Sequence, residues 1–205
     1  KKKIELNPSQ IRELVKYSKK KRIDFFASCF DIDSLKVMRQ FKCKYNKIPS
    51  ALITNLKFLE EVAKEKKYTF ISTGMCEMKD ISKAVKIFKK RSCKFTLLHC
   101  VSLYPCPEEK LNLGMINVLR KKFKCDVGYS GHETNVSPSI HAYFLAHTCI
   151  FSYTQSNRTK PGERPPLKTR QGQGQGGAYM HVCLYVCTHR YYISMCTHIQ
   201  THMHI

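Results

Sequence analysis

The sequence predicts an α/β protein: part of a (β/α)8 barrel of about five strand–helix units over residues 1–142, then a disordered tail over 143–205. Three observations lead there. Short apolar runs alternate with longer stretches whose apolar residues recur every three or four positions. Each apolar run ends in polar side chains. After residue 140 the alternation stops.

The first helix is "NPSQIRELVKYSKKK", residues 7–21. Asn7 can cap it, Pro8 suits the first turn, and Ile11, Leu14, Val15 and Ser18 share a face. "IDFFAS" is a buried strand, and "DIDSLKVMRQF" is helical, with Asp31 or Asp33 near its start. "YNKI" is a short strand. "TNLKFLEEVAKE" is a helix with Leu56, Leu59 and Ala63 inward. "YTFIST" is a strand, followed by "MKDISKAVKIFKKR" with Ile81, Val85 and Phe88 inward. "FTLLHC", the helix "LNLGMINVLRKKF" and the strand "DVGYS" complete the series.

Strands that are apolar on both faces and separated by helices form a parallel sheet with helices packed on it. Such a sheet is either open and doubly wound or closed. An open sheet binds ligand at its switch point, whereas a barrel gathers all strand tips at one mouth. The tips here carry Ser28; Lys47 and Ser50; Ser72 and Thr73; Ser102 and Tyr104; Ser130 and His132. Polar tips on successive strands favour the barrel. No glycine-rich dinucleotide fingerprint and no P-loop follows any strand.

The formal net charge is +21. A balance this basic suits anionic partners: nucleic acid, a membrane surface or small phosphorylated molecules. The lysines lie mostly in runs on outer helix faces, and no RNP-type motif or recognition helix accompanies them, so a basic nucleic-acid-binding domain is the weakest alternative. No apolar run approaches the roughly 18–20 residues that span a bilayer. Lys1–Lys3 are followed by no signal-peptide core. Of the 11 cysteines, Cys29, Cys43, Cys76, Cys93, Cys100, Cys106 and Cys125 are scattered without paired spacing, which fits reduced thiols in a cytoplasmic protein. The chain starts without methionine and reads as a fragment.

Residues 154–178, "TQSNRTKPGERPPLKTRQGQGQGGA", lack apolar periodicity. Beyond them, Cys183, Cys187, His189, Cys196, His198, His202 and His204 invite a zinc reading, but no Cys-x-x-Cys pair or finger-length helix is present. Their composition is that of translated alternating purine–pyrimidine repeat.

The series "FFASCFD", "YNKIPSALITN", "FISTGM", "LLHCVSLYPCP" and "VGYSGHET" resembles the N-acetylneuraminate (sialic acid) synthase family, with its legionaminic and pseudaminic acid synthase relatives, over roughly residues 5–140. The resemblance implies a (β/α)8 barrel with a small antifreeze-like domain after it, of which this chain would hold the third to seventh strands. It also implies a cytoplasmic, homodimeric transferase. The reaction implied is condensation of phosphoenolpyruvate with N-acetylmannosamine or its 6-phosphate, with Mn²⁺ or Mg²⁺ as cofactor. The enol carbon attacks the open-chain sugar aldehyde, water adds to the resulting cationic carbon, and phosphate leaves.

By the same resemblance Ser28, Lys47, Ser50 and Ser72 would bind phosphoenolpyruvate, Ser28 standing where members often carry threonine. Lys47 would supply charge, and the serines short donors. Ser102, in place of the commoner asparagine, and Tyr104 would bind the sugar. Tyr104 and Ser130 would be catalytic. His132 would be one of two metal-binding histidines, and Gly131 would permit a tight turn. His99 is read as structural. The second histidine would fall at position 153, which is Tyr153, and Leu52 stands where members carry Glu or Asp. Those two departures motivate the alternative of a catalytically inactive remnant or truncated isoform.

Overall fold

The structure is a computed structural model and describes residues 6–146, 150–152, 180–188 and 191–195. Helix α1 (Pro8–Lys20) leads into β1 (Phe25–Cys29), and α2 (Ile32–Arg39) into β2 (Tyr45–Ile48). After a 3-10 turn at Ser50–Leu52 come α3 (Leu56–Lys64), β3 (Tyr68–Ser72), α4 (Met78–Lys90) and β4 (Phe95–His99). A second 3-10 turn, Glu108–Lys110, precedes α5 (Met115–Phe123), β5 (Asp126–Gly131) and α6 (Ser137–Ala146). The helix starts obey local chemistry. The Asn7 carboxamide accepts from the backbone N–H groups of Ser9 and Gln10, Asp31 accepts from Ser34, and Asn55 from Phe58.

Strands β1 to β5 pair in sequence order, all parallel. Alternation then divides each strand between two faces. One face carries Phe25, Ala27, Ile48, Ile71, Leu97, Val127 and Tyr129, packed in one cluster with Ile11, Leu35, Leu59, Val85, Phe88 and Leu119 of the helices. The other carries Phe26, Tyr45, Phe70 and Leu98, a separate cluster inside the barrel. There the Phe26 and Phe70 rings stack with centroids 5.6 Å apart. Burying each such side chain contributes about 1.5–3 kcal/mol, so the two faces set the register of every strand. Outside β2, Asn46 donates to the Glu65 carboxylate at 3.1 Å, and Arg39 and Lys67 pair with the same group at 2.7 and 2.9 Å.

Two details differ from the sequence pattern. Leu56, placed inward by periodicity, is exposed, while Phe58 and Val62 are buried. Leu56 is the first residue of α3, before the packed stripe begins. The fifth helix starts four residues later than its apolar pattern, because Asn112 takes a left-handed φ of 44° and breaks the first turn.

The larger difference lies beyond residue 142. Helix α6 continues to Ala146, and β6 (Ile150–Ser152) adds a sixth parallel strand beside β5. Strands β7 (Met180–Thr188) and β8 (Tyr191–Met195) pair antiparallel with each other. β7 also runs antiparallel along β1, and β8 parallel to β6, which closes the sheet. At these described positions the backbone is helix and strand, where the composition suggests disorder. The physical reason is that "MHVCLYVCT" and "YYISM" are rich in Val, Ile and Tyr, which suit a pleated surface. The remainder of 143–205, including Tyr153, His189, Cys196, His198, His202 and His204, lies outside the described residues.

Candidate active site

The strand tips meet on one side of the sheet. Ser28 and Lys47 are direct partners across β1 and β2. Each lies two residues beyond an interior aromatic, Phe26 and Tyr45, and therefore on the same inward face. Ser72 stands in the same relation to Phe70. Ser130 stands so to Gly128, the partner of Leu98. Ser28, Ser72 and Ser130 are buried and Lys47 is half-buried. An interior floor of aromatic rings therefore carries three hydroxyls and one ammonium above it.

Ser50, Ser102, Cys100 and Gly74 form a second group at the same mouth. The Ser50 hydroxyl accepts the Gly74 N–H at 3.0 Å and lies 3.2 Å from the Cys100 sulfur. A Cβ on Gly74 would stand 2.5 Å from Ser102 Oγ, 3.0 Å from Ser50 Oγ and 3.1 Å from Cys100 Sγ. Residues from the loops after β2, β3 and β4 thus converge on one glycine. Thr73 points elsewhere: its hydroxyl donates to the Leu98 carbonyl at 3.0 Å.

His132 follows β5. Its Nδ1 lies 2.8 Å from the Val101 carbonyl, an acceptor only, so Nδ1 carries the proton and Nε2 keeps its lone pair. The Cys106 N–H donates to the His132 carbonyl at 3.0 Å, and the Tyr104 ring centroid lies 4.3 Å from the imidazole. The histidine is thus fastened to the loop after β4. Burial pushes its pKa down and the Lys47 charge adds to that, against the Val101 carbonyl and Glu133. The ring is neutral at pH 7.

His99 is structural, as its place inside β4 implies: it is buried, and its Nε2 lies 2.7 Å from the Leu111 carbonyl. Glu133, absent from the sequence-derived site, is 1 % exposed. The Tyr129 hydroxyl donates to it at 2.8 Å and the Ser139 hydroxyl at 3.1 Å, which ties β5 to α6. A Cβ at position 131 would come within 2.5 Å of the same carboxylate. Gly131 is therefore required by space: it ends a strand beside a buried side chain, and no tight turn is involved. The signal for both was the tripeptide "GHE", in which the glutamate reads as one more polar tip.

The family model described as the NeuB family matches residues 1–163. The chain belongs to the NeuB family. Among its relatives, the N,N'-diacetyllegionaminic acid synthase of Campylobacter jejuni is 34% identical over 174 residues, 82% of this chain and 52% of that protein. The human N-acetylneuraminate-9-phosphate synthase is 31% identical over 171 residues, covering 83% of this chain and 48% of its own length. The crystal structure of an N-acetylneuraminic acid synthetase from Leptospira borgpetersenii, in complex with citrate, superposes with a TM-score of 0.70 at 34% identity, over 73% of this chain and 53% of that one. A DAHP synthase of Thermotoga maritima shares the fold alone, at 12% identity and a TM-score of 0.62. The chain spans about half the length of the curated relatives it matches.

NeuB-type synthases are expected to use a divalent metal, so the donors at the mouth bear on this chain. His132 offers one neutral nitrogen. Glu133 is turned into the core by Tyr129 and Ser139, and Leu52 packs against the outer core cluster. Lys47 places positive charge near the imidazole. Among the described residues no group of three His, Cys, Asp or Glu side chains converges on a common point. A hard divalent ion needs several oxygen or nitrogen donors, so these residues supply one ligand and not a set. Position 153, where the second histidine would fall, lies outside the described residues. No described helix is long and apolar enough to cross a membrane. Cys29, Cys43, Cys76, Cys93, Cys100, Cys106 and Cys125 are free thiols.

Proposed function

We propose that this chain forms the phosphoenolpyruvate-binding part of a nonulosonic acid synthase, a cytoplasmic enzyme that condenses phosphoenolpyruvate with N-acetylmannosamine or its 6-phosphate. The observation that carries this reading is the inward face shared by Ser28, Lys47, Ser72 and Ser130 above the aromatic floor. Lys47 supplies the one ammonium on that face, suited to phosphate or carboxylate. Ser28, Ser50 and Ser72 supply short donors around it. Ser102 and Tyr104, on the loop after β4, would bind the sugar. Ser130 would act beside the reacting carbon, and Nε2 of His132 would give one metal donor. In the reaction the enol carbon of phosphoenolpyruvate bonds to the sugar aldehyde carbon. Water then adds to the former enol C2, and the C–O bond to phosphate breaks, leaving the 2-keto acid and inorganic phosphate.

A second reading has its own support: Leu52 and the incomplete donor set around His132 favour a form that binds phosphoenolpyruvate without turning it over. Calorimetric titration of the chain with phosphoenolpyruvate tests what the two share. Saturable binding that weakens about tenfold or more in Lys47→Ala is expected, since a charge-assisted hydrogen bond is worth about 1.5–3 kcal/mol. Equal affinity in both proteins would remove the assignment.

A further inference from the structure

The Ser50–Cys100–Gly74 contact constrains a proton. A serine hydroxyl has one hydrogen to donate and two lone pairs to accept with. One lone pair of Ser50 Oγ takes the Gly74 N–H at 3.0 Å. The Cys100 sulfur lies 3.2 Å away and can be donor or acceptor. If the thiol donates, both lone pairs are occupied and the Ser50 O–H is directed outward. That state is favoured when an acceptor-only anion sits at the mouth, because the anion can take a proton and cannot give one. Cys100 is buried, so water does not compete for its S–H. Gly74 is part of the same device. Its φ lies outside the left-handed region, so alanine would be free of backbone strain. Its missing Cβ leaves the space into which Ser102 Oγ, Ser50 Oγ and Cys100 Sγ close, while Ser50 Oγ takes the backbone N–H.

We propose that Cys100 is a positioning residue: its thiol donates to Ser50 Oγ and thereby turns the Ser50 hydroxyl into an obligate donor to the anionic ligand, with Gly74 providing the space for the cluster. The inference rests on the reading of Ser50 as a phosphoenolpyruvate contact. It adds residues that come from two different loops and touch the ligand only through Ser50.

The test is calorimetric titration of the 205-residue chain with phosphoenolpyruvate, with thermal unfolding recorded for every variant. Cys100→Ala should weaken binding about three- to tenfold, the range for one ordinary hydrogen bond. Cys100→Ser, which keeps a donor and loses the sulfur's bulk, should stay within about twofold of the parent. In a Ser50→Ala background, Cys100→Ala should have no further effect. Gly74→Ala should weaken binding about tenfold while the fold is kept, because the new Cβ displaces the hydroxyls. A packing role gives the opposite pattern: serine as poor as alanine, and an alanine effect that persists without Ser50. Either result overturns the proposal, as does an unchanged affinity in Cys100→Ala. Lys47→Ala is run in parallel. If it binds like the parent, or the parent does not bind, the phosphoenolpyruvate site itself falls, and this inference with it. If Lys47→Ala weakens binding while the Cys100 and Gly74 variants are flat, this inference alone falls.

Discussion

On the β1–β3 side of the mouth, Ser28, Lys47 and Ser72 share one inward face, and Ser50 is held by Gly74 and Cys100. On the β5 side, His132 is oriented as carefully, by the Val101 carbonyl and the Tyr104 ring, yet it stands as a single nitrogen donor. Glu133 next to it serves the core. The contrast teaches that orientation and completeness are separate. An anion can be held by hydroxyls and an ammonium from neighbouring strands, and those strands are all in place. A hard metal needs several donors on one point, and the described residues bring one.

The contrast breaks first at turnover, where the largest effect is expected. Incubated with phosphoenolpyruvate, N-acetylmannosamine or its 6-phosphate, and Mn²⁺, the chain should release no phosphate above a protein-free control. A misplaced reaction partner alone can cost about 100-fold in rate. Turnover that vanishes in Lys47→Ala would show that the β5 side is complete after all.

Next in size is the β5 side's role as structure. Gly131→Ala should destabilise the fold by about 2–4 kcal/mol in chemical denaturation, since its Cβ would press on the buried Glu133 carboxylate. Glu133→Gln, which keeps an acceptor for Tyr129 or Ser139, should cost about 1–3 kcal/mol. Equal stability in both variants would mean that the carboxylate does not tie β5 to α6.

The smallest expected effect is in pH. Burial lowers the folded-state pKa of both His99 and His132. The unfolded chain then binds the extra protons first. Stability from these groups is present above the ordinary histidine pKa and declines as pH falls from there toward the depressed folded values. Unfolding free energy should therefore drop on acidification below about pH 6.5. His99→Gln should flatten part of that slope; an unchanged slope would show that His99 is not the buried neutral group described.

The order of strands and helices and the residues on the strand tips were legible because both are local. Period-two alternation and apolar spacing within about a dozen residues specify them, and Lys47 and Ser72 fall inward by the same rule. Cys100 and Gly74 were not legible, because their meaning depends on Ser50, brought beside them by the β2–β3–β4 pairing. Glu133 was hidden by its neighbours: among polar tips it reads as another tip, and only the packing of α6 shows that it points into the core. The strands β7 and β8 were not legible, because Cys and His interrupt the Val, Ile and Tyr spacing that marks a strand.

Among the described residues, Ser28, Lys47, Ser50 and Ser72 stand together at the mouth, whereas His132 stands as a single nitrogen donor. Paired calorimetric titrations of the same preparation, one with phosphoenolpyruvate and one with Mn²⁺, test this contrast most directly. Saturable phosphoenolpyruvate binding that depends on Lys47 is expected without any Mn²⁺ added, together with Mn²⁺ binding too weak to saturate and unchanged in His132→Ala. Tight Mn²⁺ binding that is lost in His132→Ala, or phosphoenolpyruvate binding that appears only with Mn²⁺ present, would contradict it.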